Sequence, residues 1–135
     1  MNSFTIHILA SEHLFYEGPC ESLVVPTIRG QYGILAGHSN LISAVAPGEL
    51  SFRIPGEKEQ VLAVSEGMVK VEHNDVLVLV DTAERPEDID VNRAKRAAEE
   101  AKEMMLQKRS IQEYRTAQAQ LARALNRLRV KRTRI

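Results

Sequence analysis

The sequence has no tryptophan, a single cysteine and only 4% aromatic residues. With no second thiol, Cys20 has nothing to pair with inside the chain, and packing must do the work that a disulfide framework does elsewhere. No apolar run approaches the roughly 20 residues that a membrane-spanning helix needs. The first residues lack the basic-then-apolar pattern of a secretory signal and the Arg/Ser-rich pattern of a transit peptide, so a soluble protein in a reducing compartment is expected. No Gly-x-x-x-x-Gly-Lys-Ser/Thr loop, Gly-x-Ser-x-Gly elbow or His-Glu-x-x-His pair is present, and no Cys/His set has zinc-ligand spacing. His7, His13, His38 and His73 share no spacing, and each reads as structural or solvent-exposed. Neither an internal repeat nor a low-complexity tract occurs. Catalysis has no foothold here.

What remains is strand-like for the first 82 residues. Phe4, Ile6 and Ile8 alternate with polar neighbours, as do Leu50, Phe52 and Ile54, then Met68, Val69 and Val71 around Lys70 and Glu72. Leu23–Val25 and Val76–Val80 are continuous apolar runs, as expected of strands covered on both faces. Turn signals recur about every ten residues, at Gly18-Pro19, Arg29-Gly30, Pro47-Gly48, Pro55-Gly56, Glu66-Gly67 and Asn74-Asp75. Many short strands without intervening helices predict an all-β domain, an antiparallel β-sandwich. Its boundary is expected near Pro86, which disfavours helix at Arg85, giving a first domain over 1–85 and a second over 86–135.

The second domain reads as a helical hairpin. Val91, Ala94, Ala98, Ala101 and Met105 recur at gaps of three and four, predicting a helix over about 90–107 with Asp88 or Asp90 as cap. Ile111, Tyr114, Gln118, Leu121, Leu125 and Leu128 repeat the gaps, predicting a second helix over about 111–131. Ser110 and Glu113 have the form of a capping box at its start. The alanine stripe allows close approach but buries little area, and at about 25 cal/mol per Å² it holds a partner weakly. Such a hairpin is expected to open.

Charge is segregated. Residues 1–85 carry five Lys/Arg against eleven Asp/Glu, whereas residues 111–135 carry seven against Glu113 alone. The net charge of zero thus hides an acidic body and a basic tip, which points to an anionic partner. A basic tip also fits a solvated terminus or a nucleic-acid-binding tail, though this one lacks the aromatics that stack on bases.

The segment Gly30-Gln31-Tyr32-Gly33-Ile34-Leu35-Ala36-Gly37-His38 sets apolar side chains between glycines. It reads equally as a packed corner of the sandwich and as a protein-contact surface. Together with Ala63-Val64-Ser65-Glu66-Gly67-Met68-Val69-Lys70-Val71 and with Ala83-Glu84-Arg85 through Ile89-Asp90-Val91-Asn92-Arg93-Ala94, it resembles the epsilon subunit of bacterial F-type ATP synthases. The resemblance spans essentially the whole chain, with Ala36 and Asn40 standing where that family commonly has proline.

The resemblance implies a non-catalytic rotor subunit of the central stalk. It implies that the sandwich joins the gamma subunit to the c ring, with Arg29, Gln31 and Tyr32 toward the c ring and His38 and Ser43 toward gamma. It further implies that the C-terminal arm extends into the catalytic head and inhibits ATP hydrolysis. Arg129, Lys131 and Arg132 would then meet acidic surfaces of the alpha/beta catalytic subunits. The matching location is the bacterial cell membrane, on the cytoplasmic side and through the complex only. Ile89-Asp90-x-x-Arg93-Ala94 looks like the motif of family members that bind ATP on this subunit. On that likeness Glu84, Asp90, Arg93, Arg123 and Arg127 form a nucleotide site for regulatory ATP, with no cofactor required and no metal. Arginine forks match phosphate oxygens, while Glu100, where strong binders carry another arginine, works against the site. Two other classes compete: a free-standing nucleotide sensor, and a basic-tailed nucleic-acid-binding protein whose binding would fall steeply with salt.

Overall fold

The computed structural model describes residues 2–11, 13–107 and 110–134, which fall into two compact units, Met1–Glu84 and Arg85–Ile135. In the first unit the described residues form ten strands: β1 Phe4–Ala10, β2 His13–Cys20, β3 Ser22–Thr27, β4 Gly30–Leu35, β5 Leu41–Val45, β6 Gly48–Arg53, β7 Glu59–Val64, β8 Gly67–Glu72, β9 Asp75–Val80 and β10 Ala83–Glu84. They build two five-stranded sheets, ordered β2-β1-β9-β8-β5 and β10-β7-β6-β3-β4. Neighbours run antiparallel except β1 and β9, which pair in parallel from Thr5 with Asp75 to Ala10 with Val80.

The period-two pattern explains the packing. Phe4, Ile6 and Ile8 are 3%, 0% and 0% exposed, and Leu50, Phe52, Val69 and Val71 are likewise buried. They join Leu23, Val25, Leu62, Val76, Val78 and Val80 in one aliphatic core between the sheets. Two turns depend on special backbone. His73 and Asn74 both have positive φ, 48° and 63°, which suits the tight β8–β9 hairpin better than the Asn74-Asp75 turn expected from sequence. At Gly67 a Cβ would run into the Leu79 carbonyl, so only glycine allows the β8–β9 approach there.

One expectation is corrected. The apolar runs 23–25 and 76–80 are not covered on both faces: Val24 and Leu77 are half-buried, and Leu79 is 40% exposed. Each strand buries one side, and the other looks away from the core.

The second unit opens with a 3-10 turn, Pro86–Asp88, followed by α1 Val91–Gln107 and α2 Ile111–Arg134. Asp90 caps α1, its Oδ1 accepting from Arg93 N at 3.1 Å and its carbonyl from Ala94 N at 3.0 Å. Ser110 caps α2, its Oγ accepting from Glu113 N at 3.0 Å. Lys108 and Arg109, within the expected break between the helices, lie outside the described residues. On α1 the expected stripe is the packed one, with Ala94, Ala98 and Ala101 buried.

On α2 the packed face differs from the expected stripe. Ala117 and Ala124 are fully buried, with Leu121 and Leu128 half-buried beside them. Ile111, Tyr114 and Leu125 are 74%, 40% and 46% exposed, and Gln118 is exposed too. At 100° per residue these four lie roughly a quarter of the circumference round from the alanines. The physical reason is size. A helix with an alanine face can come closest by meeting another small face, and Ala117 and Ala124 supply it.

Candidate functional site

The residues read as partner-facing group at two places in the sandwich. Arg29 lies in the β3–β4 turn and Gln31 follows it on β4; both are exposed, and Ile28, the other turn residue, is 87% exposed. Thr27 builds that turn: its hydroxyl donates to the Gly30 carbonyl at 2.7 Å and accepts from Arg29 N at 3.2 Å. Tyr32, 38% exposed, lies against His38 with its hydroxyl 2.8 Å from Nε2 and the rings edge-on at 5.6 Å. Since a carbonyl only accepts, His38 Nδ1 must donate to Ser39 O at 2.7 Å, and in the neutral ring Nε2 then accepts from the tyrosine. The loop is tied down at its base, where Asn74 Oδ1 accepts from Gly37 N at 2.8 Å and Asn40 Oδ1 from His73 N at 3.0 Å. Of the apolar side chains in this segment, Ile34 is core and Leu35 is 63% exposed, so the corner is part packing and part open surface. Ser43 is half-buried on β5, in the other sheet from Tyr32.

Strand register creates a surface that sequence reading missed. Leu14, Leu9, Leu79, Met68 and Ala44 are successive cross-strand partners over β2-β1-β9-β8-β5. They alternate with core residues, so together they form an apolar ridge on the outer face of that sheet, with Ile42 71% exposed close by. One row along, His7 sits between two carboxylates: Nδ1 is 2.6 Å from Glu17 Oε2 and Nε2 is 2.9 Å from Asp75 Oδ1. These hydrogen bonds, Asp75 first and then Glu17, raise the His7 pKa above its usual value despite some burial. The partners lie 10 and 68 residues away, a separation that no local spacing reveals. Cys20 is buried; desolvation pushes its thiol up, and Sγ donates to Ser22 O at 3.1 Å, an inert arrangement.

The five residues matched to a nucleotide motif are distributed over both units. Glu84 ends β10, where it pairs with Ala63 of β7. Asp90 is engaged as the α1 cap, with Arg93 exposed one turn on. Arg123 and Arg127, four apart, share one flank of α2. Of the basic-tip residues, Arg129 donates to Asn126 Oδ1 at 2.6 Å, Lys131 donates to Pro86 O at 2.9 Å, and Arg132 is exposed. Asn126 is buried at 5% exposure, a polar side chain matched by its own helix neighbour. Among the described residues no group of three His, Cys, Asp or Glu side chains could hold a metal ion, and no helix is long and apolar enough to cross a membrane.

Comparison with known proteins gives this layout its context. Residues 3–86 match the family model of the ATP synthase delta/epsilon chain β-sandwich domain, and residues 87–132 match that of the delta/epsilon chain long α-helix domain. The chain is 38% identical over 128 residues to the ATP synthase epsilon chain of Ruminiclostridium cellulolyticum, covering 95% of each. It is 40% identical over 129 residues to that of Caldanaerobacter subterraneus subsp. tengcongensis, covering 95% of this chain and 93% of the relative. A chain in the Euglena gracilis mitochondrial ATP synthase, in a structure of OSCP, F1 and c-ring, shares the fold. It aligns with a TM-score of 0.75 at 23% identity, over 89% of this chain and 76% of that one. With both family models matched and relatives this similar along their whole length, the chain belongs to the delta/epsilon chain family of ATP synthase, as a non-catalytic epsilon-type subunit.

Proposed function

We propose that this subunit works in the central stalk, coupling a gamma subunit to a c ring through its sandwich and restraining ATP hydrolysis through its hairpin. The observation that carries the second half is the unused apolar flank of α2. Ile111, Tyr114 and Leu125 are exposed while the helix packs on α1 through alanines. A helix amphipathic on two flanks has a second partner to meet. Opened, α2 would set that flank and Arg115, Arg123, Arg127, Arg129, Lys131 and Arg132 against acidic alpha/beta surfaces. Reversing a mostly closed population takes about 5 kcal/mol of differential interaction. Burying three large apolar side chains supplies much of that at about 1.5–3 kcal/mol each, whereas exposed ion pairs give at most about 1 kcal/mol apiece.

The sandwich half rests on two surfaces. The ridge of Leu14, Leu9, Leu79, Met68 and Ala44, with His38 and Ser43 near its β5 side of the domain, is offered to gamma. The β3–β4 turn with Arg29, Gln31 and Tyr32 is offered to the c ring. Membrane association, on the cytoplasmic face of a bacterial membrane, then follows from the complex. Chains of the same fold in an F1/c-ring structure and in a central stalk/c-ring structure support this setting.

The decisive experiment is ATP hydrolysis by a synthase depleted of this subunit and re-supplied with full-length chain or residues 1–110. Suppression by the full-length chain alone supports the lever. Equal suppression by both removes α2 from the mechanism. A regulatory ATP site at Glu84, Asp90, Arg93, Arg123 and Arg127 belongs to the same reading, since a ligand spanning both helices favours the closed form by mass action. Asp90→Asn separates its two roles, because asparagine caps a helix as well as aspartate does. Lost ATP binding with unchanged helix content would assign the charge to the nucleotide, and unchanged binding would leave Asp90 as a cap.

A further inference from the structure

The hairpin has two flanks, and they differ in chemistry. Arg93 and Lys95 are two positions apart on α1, as are Arg127 and Arg129 on α2, so each pair diverges by about 200° round its helix. The Arg93, Arg123 and Arg127 flank is the one matched to nucleotide. On the opposite flank, where the start of α1 meets the end of α2, lies a groove of about 550 Å³. Val91, Leu125 and Leu128 line it with aliphatic surface, and Lys95, Arg129, Lys131 and Arg132 surround them with positive charge. That volume lies within the range of small-molecule sites.

Among the described residues the lining holds no carboxylate, no aromatic ring and no side-chain amide. None of its four cations takes part in an ion pair among the described residues. Arg129 and Lys131 are held instead by neutral acceptors, Asn126 Oδ1 and Pro86 O, which fix their heads without cancelling their charge. Four cations without an ion-pair partner among the described residues, set around an aliphatic patch, select an anion attached to an apolar body. The missing aromatic and amide groups disfavour a nucleobase, which needs a stacking face or edge-reading partners. A phosphate head suits guanidinium groups, and Arg129 and Arg132 lie three residues apart on α2 in the lining.

We propose that this groove binds a phosphate-headed alkyl amphiphile, the chemistry of a single-chain anionic lipid, between α1 and α2. The alkyl body lies on Val91, Leu125 and Leu128, and the phosphate takes hydrogen bonds from Arg132, Lys95 and the free donors of Arg129. Because the lining comes from both helices, the ligand holds the hairpin closed. That consequence, unlike the binding itself, rests on the opening arm proposed above.

The test is titration of the full-length chain with monomeric lysophosphatidate, followed by amide chemical shifts. Inorganic phosphate, the matching neutral monoacylglycerol and ATP serve as separate arms. Lysophosphatidate is expected to shift residues at the start of α1 and the end of α2. Phosphate and monoacylglycerol should each bind at least about tenfold more weakly. The exposed pair Lys95→Ala/Arg132→Ala should weaken lysophosphatidate by about tenfold or more with an unchanged melting temperature. Lys102→Ala, one heptad along the same face, should leave it within about twofold. Equal binding of monoacylglycerol, an unaffected double variant, or an equal loss with Lys102→Ala would each overturn the proposal. ATP displacing lysophosphatidate from these same residues would make the groove a nucleotide site instead. These outcomes concern binding alone, so they stand whether or not the arm inhibits hydrolysis.

Discussion

The two units are built from different materials. In the sandwich the fully buried side chains are large: Phe52, Ile6, Ile8, Leu23, Ile34, Leu50 and Leu62. In the second unit the buried set is mostly alanine, Ala94, Ala98 and Ala101 on one helix and Ala117 and Ala124 on the other, with Val130 and Ile89 as its larger buried aliphatics. Burying a leucine or phenylalanine contributes about 1.5–3 kcal/mol and an alanine methyl only about 0.8 kcal/mol. The sandwich is therefore held by a deep apolar core, whereas the hairpin is held mainly by close but shallow contact. The moving arm proposed above depends on that division.

The strongest way to test the contrast is to damage the firm half. Phe52→Ala should cost the sandwich about 3–5 kcal/mol in urea unfolding, because the rigid core closes only partly over the cavity. A loss under about 1 kcal/mol would show a core too loose for the comparison to hold. Gly67→Ala should cost less, about 1–3 kcal/mol, since β8 must shift from the Leu79 carbonyl. Unchanged stability would mean that the close approach relaxes freely.

A change in the hairpin should stay in the hairpin. Ala124→Gln puts a long polar side chain into the alanine seam and should raise amide exchange throughout α1 and α2 by about tenfold, with β-strand amides unaffected. If strand amides lose protection equally, the two units unfold together and the arm is no separate device. On the proposed lever, the same variant in the assembled enzyme should inhibit hydrolysis more strongly, because a weakened seam would favour opening.

The smallest expected effect is a pH dependence that belongs to the sandwich alone. His7 has a raised folded-state pKa, so its bridge to Glu17 and Asp75 contributes fully below the unfolded value of about 6.5. The contribution is lost as pH rises through the folded-state value. With the carboxylates more than half exposed it should amount to about 1 kcal/mol or less. Stability should thus decline slightly from mildly acidic to mildly alkaline pH, and His7→Gln should flatten that slope. A slope unchanged by the substitution would assign it to other groups.

Much of this architecture is legible in the chain. The alternation at Phe4–Ile8 and Leu50–Ile54 fixes which side of a strand is wet, because successive side chains point to opposite faces. Asp90 and Ser110 mark the helix starts, because capping is a local hydrogen bond between residues three apart. The family-type blocks around Gly30–His38 and Ile89–Ala94 give away the kind of subunit. Long-range register is what a linear reading lacks. It decides that Leu14, Leu9, Leu79, Met68 and Ala44 line up, that His7 lies between Glu17 and Asp75, and that Leu79 is outside rather than covered.

The α2 stripe shows the same limit from another side. Periodicity identified an amphipathic helix but could not choose between two apolar flanks about a quarter turn apart. Size-weighted reading favours Ile111, Tyr114 and Leu125, yet the partner helix offers alanines, and helices approach closest where both faces are small. The sequence by itself determined the elements, their caps, the acidic body and the basic end. Tertiary packing alone decided which apolar residues are spent inside and which stay exposed, because burial is set by the shape of the facing surface.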